Sequence, residues 1–174
     1  MGDITPLMAG GAKLRPPRPI NEADDCSLFD CGKPDLDDWL KSTAVKFNGK
    51  SSRAYVVCDG SRVAAYYCLA AGSVIRKELP NAKTRKGMPA LVPVIVIGRL
   101  AVDKKYQGDG IGLALLKDAI MKSIEASRQI GVRAILVHAI DMKVRPFYLA
   151  YGFLPSPHEQ RTLFLPIETA MKAL

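Results

Sequence analysis

The stretch YQGDGIG, residues 106–112, decides how the chain is read. Three glycines in five positions leave the backbone almost bare. The stretch stands between VPVIVIGRLAV (92–102), a run of strand formers, and a run of helix formers beginning at Ile111. Backbone N–H groups at a helix N-terminus lack intrahelical partners and carry positive partial charge. Gly108, Gly110 and Gly112 let anionic oxygens approach those groups with no Cβ in the way. The expected visitor is therefore a phosphate. A nucleotide P-loop would need a Lys-Ser or Lys-Thr after the glycines, and a dinucleotide fingerprint would need GxGxxG; this stretch has neither.

Outward from the loop, the order is helix, β-hairpin, strand, helix, strand, helix, strand. Downstream, Leu113, Leu116, Ile120 and Ile124 form an apolar stripe, with Lys117, Asp118, Lys122 and Glu125 off it and Gly131 in the position of a C-terminal cap. Upstream, KPDLDDWLKSTAVKF (33–47) places Leu36, Trp39, Leu40, Ala44 and Phe47 on one helical face, with acids early and lysines late. RAYVVCDGSRVAAYYCLAAGSVI (53–75) reads as two strands joined at Asp59-Gly60. Residues 76–90 lack periodicity and read as a loop. The 92–102 run is apolar enough for a central strand buried on both faces. VRAILVHAI (132–140) and RTLFLPI (161–167) read as strands, and VRPFYLAYGF (144–153) as a short helix entering a turn. His138 falls in a strand as a packed or hydrogen-bonded residue; His158 is a loop residue.

The 174 residues suit one domain, residues 21–174, after an extended lead-in at 1–20. Hydrophobic residues at 48% and charged residues at 24% are a globular balance. No apolar run reaches the roughly 18 residues that cross a bilayer, and the N-terminus lacks a signal-peptide pattern. The expectation is a cytoplasmic chain with no membrane partner. Cys26, Cys31, Cys58 and Cys68 lack the spacing of a zinc site, so no metal is expected. The formal charge of +8, from 25 Lys and Arg against 17 Asp and Glu, favours polyanionic partners. It clusters: Arg76, Lys77, Lys83, Arg85 and Lys86 share the 76–90 loop with one acid, Glu78, and Lys104 and Lys105 precede the glycines. Such cations suit contact with a phosphate backbone, Arg85 and Lys86 foremost.

QGDGIG (107–112) fits the Q/R-x-x-G-x-G/A signature of the GNAT family of N-acetyltransferases, and FYLAYGF (147–153) resembles that family's FYxxxGF element. The resemblance implies an α/β (α+β) domain, a mixed, mostly antiparallel sheet flanked by helices, with a cofactor cleft between two splayed parallel strands. It implies acetyl-CoA as cofactor, with its pantetheine arm along Leu100, Ala101 and Val102. The pyrophosphate would be held by Gln107, Gly108, Asp109, Gly110, Ile111 and Gly112, and Phe147 would lie beside the cofactor. It also implies Tyr148 as the catalytic acid that protonates the CoA thiolate.

FDCGKPDLDDWL (29–40), RVAAYYCLAAGSV (62–74) and VIGRLAVDKKYQGDGIG (96–112) resemble one GNAT subgroup, the toxins of bacterial type II toxin–antitoxin pairs. That likeness implies acetylation of the α-amino group of aminoacyl-tRNA, with a block of translation. It also implies a cognate antitoxin, contact with operator DNA only through the antitoxin complex, and a homodimer as a further assembly to test. The residues agree with such a substrate. The attacking amine must be neutral; an α-amino group titrates near roughly 7.7–8.0, a lysine near roughly 10.4. The 92–102 run holds no Glu, Asp or His to serve as base, and Asp103 is expected to face outward. Two other readings stay open: a GNAT for a small amine or a protein N-terminus, and a non-catalytic nucleic-acid-binding module.

Overall fold

The structure, a computed structural model, describes residues 7–9 and 12–173. Leu7–Ala9 (β1) and Ala12–Leu14 (β2) pair antiparallel with Leu7 opposite Leu14, so part of the 1–20 lead-in is paired strand and the rest falls partly outside the described residues. The remaining strands are Arg18–Pro19 (β3), Arg53–Asp59 (β4), Arg62–Ile75 (β5), Leu91–Val102 (β6), Ala134–His138 (β7), Leu154–Pro155 (β8) and Thr162–Pro166 (β9). They form one mixed sheet in the order β3-β4-β5-β6-β7-β9-β8. The pairs β3–β4, β4–β5, β7–β9 and β8–β9 are antiparallel, and β6–β7 is parallel. The helices are Pro34–Ser42 (α1), Ala82–Arg85 (α2), Ile111–Ser127 (α3), Arg145–Ala150 (α4) and Ile167–Lys172 (α5). The β6–β7 register runs from Val94↔Ala134 to Ile97↔Val137, and β6 continues to Val102 beyond its last pair. Gly60, at φ +61°, makes the expected β4–β5 turn.

The chain divides into two compact units, residues 1–69 with 99–121 and residues 70–98 with 122–174. In the first, Phe29, Leu40, Val56, Val63, Tyr66 and Ala101 form a buried cluster with Leu36 and Trp39 packed against it. The Tyr66 hydroxyl donates to the Leu36 carbonyl at 2.7 Å, fastening α1 to β5. In the second, Val74, Leu79, Val92, Val94, Leu136 and Phe164 form the core.

Four local expectations change. The α1 helix stops at Ser42 instead of reaching Phe47: the Thr43 and Ala44 amides both fall on the Trp39 carbonyl, and Phe47 is 41% exposed with no core to cover. On α3 the buried stripe is Ile111, Leu115, Leu116, Ala119, Ile120 and Ile124, whereas Leu113 is 38% exposed. Gly131 does not cap that helix: α3 ends at Ser127, whose hydroxyl donates to the Ile124 carbonyl, and Gly131 lacks a positive φ. Segment 76–90 is not irregular. A 3-10 turn at Arg76–Glu78 precedes α2, which is nucleated by a reciprocal cap: the Asn81 side chain accepts from the Thr84 amide and Thr84 Oγ1 from the Asn81 amide. So short a helix rests on capping chemistry, which leaves no periodic apolar pattern to detect. In addition, β6 is not buried on both faces, because Val96, Leu100 and Val102 are half-buried and Leu91 is exposed. A central place in the sheet satisfies a strand's backbone, not its faces.

Candidate active site

In the first unit, the approach to the glycine loop is built by Asp103. The expectation that it faces outward is wrong: it is 2% exposed. Its Oδ1 accepts from the Lys105 amide at 2.8 Å, and its Oδ2 accepts from the Asp30 amide at 2.9 Å and faces Arg62 at 3.5 Å. A buried carboxylate is tolerable only when its lone pairs are filled in this way. Asp103 thereby caps the 3-10 turn Lys104–Tyr106. Tyr106, 3% exposed, donates to Asp59 Oδ2 at 2.6 Å, and burial with that bond pushes its phenol up to about 12.

Gln107 follows, and its exposed side chain folds back onto the backbone. Its amide nitrogen donates to the Val102 carbonyl at 2.8 Å and the Cys31 carbonyl at 3.2 Å. Two carbonyl partners fix which end of the amide is nitrogen and use both of its hydrogens. The side chain of Gln107 therefore shapes the loop, and its backbone N–H is what it offers to an anion. Gly108 and Gly110 take φ values of +90° and +80°, a region closed to most side chains, and a Cβ at either would meet nothing within 4 Å. The loop is bare on its outer side, a cradle that fits pyrophosphate. Gly112 differs: it lies inside α3, and a Cβ there would make ordinary contact with Val102 Cγ2 at 3.9 Å. Ile111 is buried at 2%, anchoring the helix start, and Asp109 is exposed.

In the second unit, Asp141 Oδ1 accepts from the amides of Lys143 and Val144 at 2.8 and 3.1 Å, and Pro146 in the first turn completes the start of α4. Gly152, at φ +98°, reverses the chain, so that Phe153 donates its amide to the Tyr148 carbonyl at 3.2 Å. The Tyr148 ring sits edge-on between Phe147 at 5.1 Å and Phe153 at 5.6 Å. Tyr148 is 6% exposed, and burial pushes its phenol up to about 12. It therefore holds its proton at neutral pH. Tyr151 lies half-buried beyond the end of the helix.

The basic residues separate into two kinds. Arg76 donates to the Met88 carbonyl at 2.7 Å and Arg85 to the Leu79 carbonyl at 2.9 Å, so both brace the segment they belong to. Lys77, Lys83 and Lys86 are exposed. Arg133, which no sequence pattern singles out, donates to the carbonyls of Thr84 and Lys83 at the end of α2 and pairs with Glu168. In the first unit, Lys104 is exposed and 3.6 Å from Asp30, and Lys105 lies 5.6 Å from the centre of the Tyr106 ring.

Burial pushes the thiols of Cys26, Cys31 and Cys58 up to about 11, which keeps them in the thiol form at neutral pH. His138 is exposed at the end of β7, with Nδ1 3.1 Å from Thr162 Oγ1. A cavity of about 430 Å³ in the second unit has Val94, Val96 and Leu136 in its wall with His138, Glu78 and Glu159. A further feature was missed in the sequence: the Arg99 guanidinium stands over the Trp39 ring, 4.4 Å from its centre. Its signal was a lone charge inside an otherwise apolar strand.

A mixed sheet that holds a parallel strand pair, and a bare glycine loop opening onto a long helix, suit an acyltransferase that uses a phosphate-bearing acyl carrier. The chain belongs to the GNAT acetyltransferases, whose domain model matches residues 50–155. It is 44% identical over 155 residues, 88% of this chain and 93% of the other, to a tRNA-acetylating toxin of Mycobacterium tuberculosis. It is 30% identical over 172 residues, 91% of this chain and 94% of the other, to a probable toxin TacT of Sinorhizobium fredii. Among solved structures it resembles AtaT complexed with acetyl-methionyl-tRNAfMet, with a TM-score of 0.85 and 28% identity over 92% of this chain and 98% of that one. No helix among the described residues is long and apolar enough to cross a membrane.

Proposed function

We propose that the protein transfers the acetyl group of acetyl-CoA to the α-amino group of an aminoacyl-tRNA, and that it is the toxin of a toxin–antitoxin pair. The observation that carries this reading is its 44% identity, over 88% of the chain, to a tRNA-acetylating toxin. The local geometry supplies the parts. The backbone N–H groups of residues 107–112 receive the pyrophosphate, Gly108 and Gly110 leaving it room. The pantetheine arm runs back along Val102, Ala101 and Leu100. As the amine nitrogen bonds to the acetyl carbon and the C–S bond breaks, the Tyr148 hydroxyl gives its proton to the departing CoA sulfur; the proton shed by the nitrogen passes to water, from which the phenol is reprotonated.

Asp103 adds a chemical argument. It is the acid nearest the end of β6, and its oxygens already accept two backbone amides and face an arginine, so it is unsuited to take a proton from the amine. A substrate that is substantially neutral without a base fits best, and an α-amino group is one. The exposed lysines 77, 83, 86, 104 and 105 offer contacts to the RNA backbone. An antitoxin holds the activity in check, and operator DNA is reached through that complex. On this reading the protein works in the cytoplasm, where charged tRNA is found.

The deciding experiment incubates the protein with labelled acetyl-CoA and total charged tRNA. Label released by mild base as N-acetyl amino acid supports the reading. Turnover confined to small free amines or protein N-termini would overturn it, and absence of any acetyl-CoA turnover would make the chain a non-catalytic module.

A further inference from the structure

Arg99 is the one charged residue of β6. It is half-buried, and among the described residues no carboxylate pairs with it and no acceptor takes a hydrogen bond from it. None of its nitrogens is buried without a partner, so they face water. The guanidinium is nevertheless fixed in place. It rests over Trp39 at 4.4 Å, Trp39 stacks at 13° on Tyr66, and the Tyr66 hydroxyl is bonded to the Leu36 carbonyl. A flexible cation has thus been made into an oriented one, with one face on an indole and its donor edge free. Its donors, kept in water in a set orientation, are ready for an anion that matches a planar fork.

The direction of the cofactor says which anion. On the functional reading above, on which this inference rests, pyrophosphate sits at residues 107–112 and the arm runs backward past Val102, Ala101 and Leu100. The next residue on the strand, at the thioester end of that arm, is Arg99. Whatever carries the attacking amine must arrive there. We infer that the Arg99 fork binds a phosphodiester next to the charged 3′ terminus of the RNA. It is thereby a substrate-positioning contact distinct from the exposed lysines, which serve the body of the RNA.

The test compares wild type, Arg99→Lys and Arg99→Gln on two substrates, whole charged tRNA and an aminoacylated CCA trinucleotide. Charge-assisted hydrogen bonds are worth enough to shift KM by about ten- to a hundred-fold. Arg99→Gln is expected to raise KM by that amount on both substrates. Arg99→Lys, which keeps the charge and loses the planar fork, should recover part of it. Melting temperature and acetyl-CoA affinity should stay at wild-type values. Wild-type KM for Arg99→Gln on the trinucleotide would overturn the inference. A matching loss of acetyl-CoA affinity, or of thermal stability in both variants, would also overturn it, by making Arg99 a cofactor or structural residue. A wild-type protein inactive on both RNAs would instead overturn the functional reading, and this inference with it.

Discussion

Gln107 and Val102 are joined by a 2.8 Å hydrogen bond from the Gln107 side-chain amide to the Val102 carbonyl. The bond ties the first residue of the glycine loop to the last residue of β6, and a second donation, to the Cys31 carbonyl at 3.2 Å, holds the same amide from the other side. The loop is thereby shaped by a side chain before any ligand arrives.

Gln107→Glu should loosen it. The substitution is nearly isosteric, but a carboxylate has no hydrogen to give and would set its negative charge against two carbonyl oxygens. Each neutral bond removed is worth about 0.5–1.5 kcal/mol. Lower acetyl-CoA affinity by calorimetry, with the fold retained by circular dichroism, is the expected result. Unchanged affinity would mean that the loop holds its form without this clamp.

Gly110 and Gly112 should respond differently to the same methyl group. Gly110→Ala forces a side chain onto φ +80°, at about 1–2 kcal/mol, and puts its Cβ in open space where phosphate would lie. Gly112→Ala is already helical, and its Cβ points to Val102 Cγ2 at 3.9 Å. Acetyl-CoA affinity should fall in the first and stay near wild type in the second. Equal losses in both would contradict a phosphate cradle centred on Gly108 and Gly110.

Tyr148→Phe removes one hydroxyl and leaves the ring contacts with Phe147 and Phe153. Turnover should fall by roughly 10²–10⁴-fold, with cofactor affinity retained. As the proposed acid the phenol would act in its protonated form, and burial has pushed it up to about 12, so it would lose that form only above ordinary assay pH. The wild-type kcat profile should show no alkaline limb from this residue between roughly pH 7 and 10. A limb in that range that disappears in the Phe variant would keep Tyr148 as the acid and contradict the raised phenol, whereas a Phe variant as fast as wild type would refute the assignment.

Lys77, Lys83 and Lys86 should carry the salt dependence of RNA binding on their segment. Replacing all three with alanine should flatten the plot of log affinity against log salt by roughly 0.7–0.9 for each phosphate left without its lysine. Arg85→Ala should instead unfasten the segment at the Leu79 carbonyl, an effect visible in hydrogen exchange around α2. If Arg85→Ala alters the salt slope and leaves exchange unchanged, the two roles have been assigned the wrong way round.

The sequence alone determined the features whose physics is local. β-rich and apolar runs marked the strands, Asp59-Gly60 marked the hairpin, and the glycines at 108, 110 and 112 marked a bare backbone, two of which the structure sets at positive φ. Each depends on residues a few positions apart, so each could be read from the chain. Tyr148 came from the likeness of FYLAYGF to a family element; the structure adds that Gly152 turns the chain there and sets Phe153 against its ring. The tertiary structure decided which polar group meets which. Asp103 is a buried cap because Asp30, 73 residues away, delivers its amide to it. Arg76 and Arg85 are braces because the carbonyls of Met88 and Leu79 lie within reach, while the neighbouring lysines stay in water. Arg99 is held over Trp39 because β5 and α1 are locked together at Tyr66. A side chain's charge is written in the sequence; its partner is set by segments distant along the chain that only folding brings within about 3 Å.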